Sequence, residues 1–143
     1  MIVLDTNVLS ELIKPTPAPQ VIAWASRQPW QDITTTTICE AELCFGVALL
    51  PEGRRRDNLA RAIGALFDMM LAGRVLDFDR RAAKIYGPLC AGRRRLGLEI
   101  PHADMQIAAI VAAHRPASVA TRNVADYLGT DITVINPWDI QRG

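Results

Sequence analysis

A chain of 143 residues that is 50% hydrophobic, 22% charged and 6% aromatic has the make-up of an ordinary globular domain, which excludes the disordered, collagenous and coiled-coil classes. Sixteen basic residues against fifteen acidic ones leave a net charge of +1, too weak a field to announce a nucleic-acid or membrane binder. At this length one core buries about 70% of the unfolded chain's surface, so residues 1–143 are read as a single domain with no need of disulfides or structural metal.

Residues 2–4 form a short apolar run that ends at Asp5-Thr6-Asn7, the pattern of a buried parallel strand followed at once by a helix N-cap. A helix from about Thr6 sets Val8, Leu9, Leu12 and Ile13 on one face and stops at Lys14-Pro15. A short helix over 18–28 follows, and the β-branched density of 32–37 predicts a second strand. Helices over 38–50 and 54–71, separated by Pro51-Glu52-Gly53, read as a hairpin. The remaining pattern is a strand at 75–78, helices over 80–96 and 102–113, and strands at 119–121 and 133–135. Strands alternating with helices predict an α/β fold, a parallel sheet covered on both faces with right-handed crossovers.

The first residues reach a carboxylate at Asp5 without a basic leader, so no secretory signal is expected. No apolar run approaches the ~18 residues of a membrane span. Cys39, Cys44 and Cys90 are odd in number and form no Cys-x-x-Cys pair, so they are expected as reduced, buried small hydrophobes. A cytoplasmic location follows as the expectation.

Ligands of parallel sheets gather at the carboxyl ends of the strands. Asp5 stands there at the end of an apolar strand, where a carboxylate needs a capping role, a partner or a metal. Glu42 sits beside the ladder Ile38, Phe45 and Leu49, which favours Glu42 as the inward carboxylate and Glu40 as the solvated one. Asp104 opens the very apolar helix after Ile100-Pro101, although the helix dipole alone would favour an aspartate there. His102 reads more simply as a capping residue. Three acids without a converging His or Cys suit Mg²⁺, or Mn²⁺, and not Zn²⁺. Such a site can lower the pKa of water and stabilise charge on a scissile phosphate. All basic residues except Lys14 and Lys84 are arginines or lie among arginines, concentrated in the triplets Arg54 to Arg56 and Arg93, Arg94, Arg95. These are either phosphate contacts or solvated helix faces.

These residues resemble the PIN-domain ribonucleases, and in particular the VapC toxins of bacterial toxin–antitoxin pairs, including the FitB-like members. Ile2-Val3-Leu4-Asp5-Thr6-Asn7-Val8-Leu9 is similar to the family's opening motif, and Glu42 in Glu40-Ala41-Glu42-Leu43-Cys44-Phe45-Gly46 matches its second acid. Asp104 in Asp104-Met105-Gln106-Ile107-Ala108-Ala109 matches the third, Thr121-Arg122-Asn123-Val124-Ala125-Asp126-Tyr127 resembles the segment of the fourth polar position, and Val134-Ile135-Asn136-Pro137-Trp138 resembles the family's ending. Many relatives carry an aspartate where Asn123 stands, so a second tightly held metal is not implied, and either Asn123 or Asp126 fills the fourth position.

The resemblance implies an α/β/α sandwich with strand order 3-2-1-4-5 and a Mg²⁺-dependent endoribonuclease acting as a toxin. Asp5, Glu42, Asp104 and Asn123 are then the catalytic set, the first three as metal ligands, with Thr6 and Asp126 in support and Arg93, Arg94 and Arg95 as RNA-binding candidates. It also implies an RNA substrate, a VapB-like antitoxin, a homodimer, DNA contact through the antitoxin only and no membrane. Trp24, Trp30, Phe45 and Phe67 are the candidates for exposed interface patches. A PIN-like binding module with weak catalysis and a housekeeping PIN nuclease are the alternatives. A haloacid-dehalogenase-type phosphotransferase would need an aspartate at Asn7, and a receiver domain a lysine after the later strands, where Lys84 is the last.

Overall fold

The computed structural model describes residues 1–140. Five parallel strands, β1 (Ile2–Leu4), β2 (Ile33–Thr36), β3 (Val75–Leu76), β4 (Ser118–Ala120) and β5 (Thr133–Ile135), lie in the order β3-β2-β1-β4-β5. The helices are α1 (Thr6–Leu12), α2 (Pro19–Ser26), α3 (Thr37–Ala48), α4 (Arg54–Ala65), α5 (Arg80–Arg95) and α6 (His102–Ala113). The expected α/β/α sandwich and its strand order are present.

The apolar run of β1 suits its place at the centre of the sheet. Val3 and Leu4 are both buried, and β1 pairs with β2 through Ile2–Ile33 and with β4 through Leu4–Ala120. A strand of threonines can lie buried beside it because each hydroxyl finds an acceptor, a carbonyl for Thr34 and Thr35 and the Cys39 sulfur for Thr36. Thr34 Oγ1 donates to Ile2 O at 3.2 Å and Thr35 Oγ1 to Leu4 O at 2.9 Å, while Thr36 caps α3 by accepting from Cys39 N at 3.1 Å. The core continues through Leu9, Leu71, Met105, Ile107, Ile110 and Val119. Among the described residues no helix is long and apolar enough to cross a membrane.

Element ends depart from the expected ones for local reasons. β3 stops at Leu76 because Asp79 already caps α5, accepting from Ala82 N at 2.9 Å. The long predicted helix 54–71 ends as α4 and widens into a π-turn over Leu66–Met70, in which Leu71 N reaches back to Leu66 O at 2.8 Å.

Three expectations about faces are corrected. Phe45 and Leu49 are 65% and 68% exposed, because α3 turns Cys39 and Leu43 inward; the ladder that placed Glu42 is therefore an open face, and Glu40 is the more covered of the two glutamates. Of the four interface candidates only Trp30 and Phe45 are exposed, since Trp24 and Phe67 belong to the core. Cys39 is buried as expected, but Cys44 is exposed and Cys90 half-buried.

Candidate active site

The backbone of β1 delivers Asp5 to the point where the strand order reverses. Its amide donates to Ala120 O at 2.9 Å, extending the β1–β4 ladder by one residue, and its side chain caps α1 by accepting from Thr6 N at 2.7 Å. Asp5 is 2% exposed. Its Oδ2 is crowded with donors: Thr121 Oγ1 at 2.7 Å, Tyr127 Oη at 3.2 Å and, at a long 3.4 Å, Asn7 Nδ2. Oδ1 takes only the Thr6 amide, so it is the oxygen with a lone pair to spare for a ligand. Burial pushes the Asp5 carboxyl above the usual aspartate value, against the hydrogen bonds from Thr121, Thr6 and Tyr127 that hold it down.

A cleft of about 460 Å³ opens here, walled by Asp5, Thr6, Glu42, Asp104, Arg122 and Asn123, with Trp138 at its side. Glu42 comes from α3, exposed by area, yet fixed toward the cleft by Thr6 Oγ1, which donates to Glu42 Oε1 at 2.8 Å. Asp104 enters from the first turn of α6. Its carboxyl is raised to about 7, by burial first, then by the charge of Asp5, by the Asp126 carboxyl beside it and by Glu42. The three acids that the sequence singled out therefore share one electrostatic neighbourhood. Asn123 lines the same wall, while Asp126 stands against Asp104 and adds its charge there.

The donor set suits a small hard cation: the cleft wall offers carboxylates, amides and hydroxyls and no His or Cys. Among the described residues no three Asp, Glu, His or Cys side chains stand close enough to enclose an ion unaided. An ion held there would have to keep several of its own waters, as Mg²⁺ does.

Sequence reasoning missed Thr121 and Tyr127 as parts of this site. Thr121 Oγ1 is a hub that donates to Asp5 and accepts from Asn7 Nδ2 at 3.2 Å and Asn123 N at 3.1 Å. The available signal was that a tyrosine in an apolar setting needs a partner for its hydroxyl. His102 is absent from the cleft wall, and its Nδ1 lies 2.6 Å from Tyr86 Oη.

Arg93 is corrected as an RNA-binding candidate. It is 3% exposed, and its guanidinium donates to Glu99 O at 2.7 Å, Leu128 O at 2.7 Å and Ala125 O at 3.3 Å. It is a strut between α5 and the turn that carries Asp126 and Tyr127. Arg94 and Arg95 are exposed, but neither lines the acidic cleft.

A second cleft of about 830 Å³ adjoins the acidic one and shares Thr6, Ser10, Lys14 and Glu42 with it. Its wall is apolar, built from Ile13, Leu43, Val47, Leu50, Leu59 and Ile63. The larger volume is here, but Asp5, Glu42 and Asp104 meet in the smaller cleft; besides the shared Lys14 and Glu42 the larger one adds the charge of Arg55.

The chain as a whole has known relatives. The PIN domain family profile matches residues 2–124. The VapC ribonuclease Y4jK of Sinorhizobium fredii is 41% identical over 139 residues, 97% of this chain and 99% of that protein. Toxin FitB of Neisseria gonorrhoeae is 38% identical over 138 residues, 96% of this chain and 99% of its own. A crystal structure of FitAcB from Neisseria gonorrhoeae superposes with a TM-score of 0.90 at 38% identity, covering 98% of this chain and 100% of that one.

Proposed function

This chain belongs to the PIN-domain family, and from that premise we propose that it is a Mg²⁺-dependent endoribonuclease, the toxin of a VapBC-type pair. The observation that carries the reading is the gathering of Asp5, Glu42 and Asp104 around one cleft, with the Asp104 carboxyl raised by burial first and then by its acidic neighbours. Carboxylates that repel one another in this way attract a divalent cation.

Asp5 Oδ1 and the Asp104 carboxylate are the direct ligands, and Glu42, oriented by Thr6, binds directly or through water. A divalent ion bound there supplies a lowered pKa for water and stabilises charge on the phosphate under in-line attack. Thr121 and Tyr127 hold Asp5 in one rotamer by donating to Oδ2, which leaves Oδ1 for the ion. Asn123 occupies the fourth polar position with a neutral amide that orients solvent or substrate, and the Asp126 carboxyl tunes Asp104. With Asn123 in place of an acid, one tightly held ion suffices.

The apolar cleft and the exposed Phe45 and Leu49 on α3 support an antitoxin segment as the partner, entering the acidic cleft along the residues the two clefts share. Contact with DNA then comes through the antitoxin, since this chain's net charge of +1 supplies no field for it. The protein acts as a homodimer in the cytoplasm in this reading.

The test is the chemistry of the products. Incubation of purified protein with RNA and Mg²⁺ is expected to leave 5′-phosphate and 3′-hydroxyl ends, the products of attack by water on phosphorus with departure of the 3′ oxygen. Ends carrying a 2′,3′-cyclic phosphate, or equal cleavage in EDTA, would overturn the assignment.

A further inference from the structure

The acidic cleft also contains two cationic side chains, Lys14 and Arg122. Lys14 has a partner, with Nζ 2.6 Å from Glu11 Oε2. Arg122 stands differently. Among the described residues no carboxylate lies within ion-pair distance of its guanidinium, although Asp5, Glu11, Glu42 and Asp104 share its cleft and its charge reaches Glu11. Its Cζ instead lies 5.1 Å from the centroid of the Trp138 ring, and Trp138 lines the same wall.

Both halves of this pair are fixed through the backbone. Arg122 N donates to Asn7 Oδ1 at 3.0 Å, and Asn7 is tied to Thr121 and Asp5. Trp138 N donates to Asn136 Oδ1 at 3.0 Å, while Asn136 Nδ2 donates to Asp139 Oδ2 at 2.8 Å. The loops after β4 and β5 thus hold a guanidinium against an indole at the edge of an acidic cleft. Stacking uses the face of a guanidinium and leaves the N–H donors on its edge, which match an oxyanion in the same plane.

An RNA strand entering this cleft meets carboxylates of its own sign, so a cation at the rim offsets that repulsion where the strand bends toward the metal ligands. The arginine triplets do not line this wall: Arg93 is buried, Arg94, Arg95, Arg54 and Arg56 lie off it, and Arg55 lines the adjoining apolar cleft. Resting on the nuclease reading above, we propose that Arg122, stacked on Trp138, grips a phosphate of the RNA strand at the mouth of the cleft, with the indole as its fixed support.

The test uses wild type, R122A, R122K and W138A with a fluorescently labelled pool of single-stranded RNA of randomised sequence. Binding is measured in Ca²⁺ across a salt series, and cleavage in Mg²⁺. R122A is expected to weaken binding about tenfold and to lower the slope of log affinity against log salt by about 0.7, the loss of one phosphate contact on a single strand. R122K is expected to keep the slope and lose part of the affinity, and W138A to move in the direction of R122A. The rise in Tm caused by Mg²⁺ is expected to persist in R122A. A wild type that cleaves while R122A keeps full affinity and slope overturns the role of Arg122 alone. R122A with tighter Mg²⁺ binding and an unchanged salt slope marks Arg122 as a counter-charge to the acids, and also overturns it. A wild type that neither binds nor cuts the pool overturns the nuclease reading itself.

Discussion

Burial and four hydrogen-bond donors act on Asp5 in opposite directions, and burial dominates. A carboxyl held above its ordinary value is a group whose charge the fold resists, and that resistance is what a bound cation relieves. Asp104 makes the sign explicit. Its folded pKa of about 7 exceeds the ordinary 3.8, so the stability it contributes is complete below the unfolded value and is lost as pH rises through about 7. Metal-free protein is therefore expected to melt at lower temperature at pH 8 than at pH 5.5, and D104N to reduce that difference. Mg²⁺, which competes with the proton, is expected to raise Tm more at pH 8 than at pH 6; equal shifts at both would contradict the ligand role of Asp104. Tyr127 can be tested on its own. Y127F removes a buried hydrogen bond to a carboxylate, so unfolding by urea is expected to show a loss of about 1.5–3 kcal/mol, with cleavage reduced as Asp5 loosens.

At the scale of elements, α5 and α3 show what a sequence pattern carries and what it leaves out. Three consecutive arginines on a helix point about 100° apart, so one can face inward while its neighbours stay in water, and Arg93 is the inward one. Identical letters conceal that difference. R93A leaves three backbone carbonyls without their donor and is expected to cost about 2–4 kcal/mol in urea unfolding, whereas R94A and R95A should stay within about 0.5 kcal/mol of wild type. On α3 the apolar period is real, but periodicity does not say whether the cover is the protein's own core or another chain. Phe45 and Leu49 are left open, and coexpression of F45D/L49D with the proposed VapB-like antitoxin is expected to abolish copurification while leaving Tm unchanged. Asp5 and Asp104 were legible because a carboxylate stands out at the end of an apolar strand or the start of an apolar helix. Thr121 and Tyr127 were not, since their bonds to Asp5 span 116 and 122 residues of chain and no local pattern encodes that meeting.

Across the whole molecule, the strand order β3-β2-β1-β4-β5 decides where chemistry can occur. It sets the end of β1 at the reversal of the sheet, where α1 and α6 begin and the turn after β4 returns, so acids distant in sequence meet in one cleft without any long-range charge on the protein. With a net charge of +1, the proposed RNA binding calls for local positive charge, which the proposal assigns to a metal ion and to Arg122. The central claim is that the cleft of Asp5, Glu42 and Asp104 is a metal-dependent nuclease centre. Its most direct measurement is the rate of RNA cleavage by purified wild type and D104N as Mg²⁺ is titrated at pH 8. Wild-type activity is expected to rise from none in EDTA to saturation, with D104N slower by about a hundredfold or more, the scale of losing a group that stabilises transition-state charge. Cleavage that is independent of Mg²⁺, or a D104N rate equal to wild type at every concentration, would contradict it.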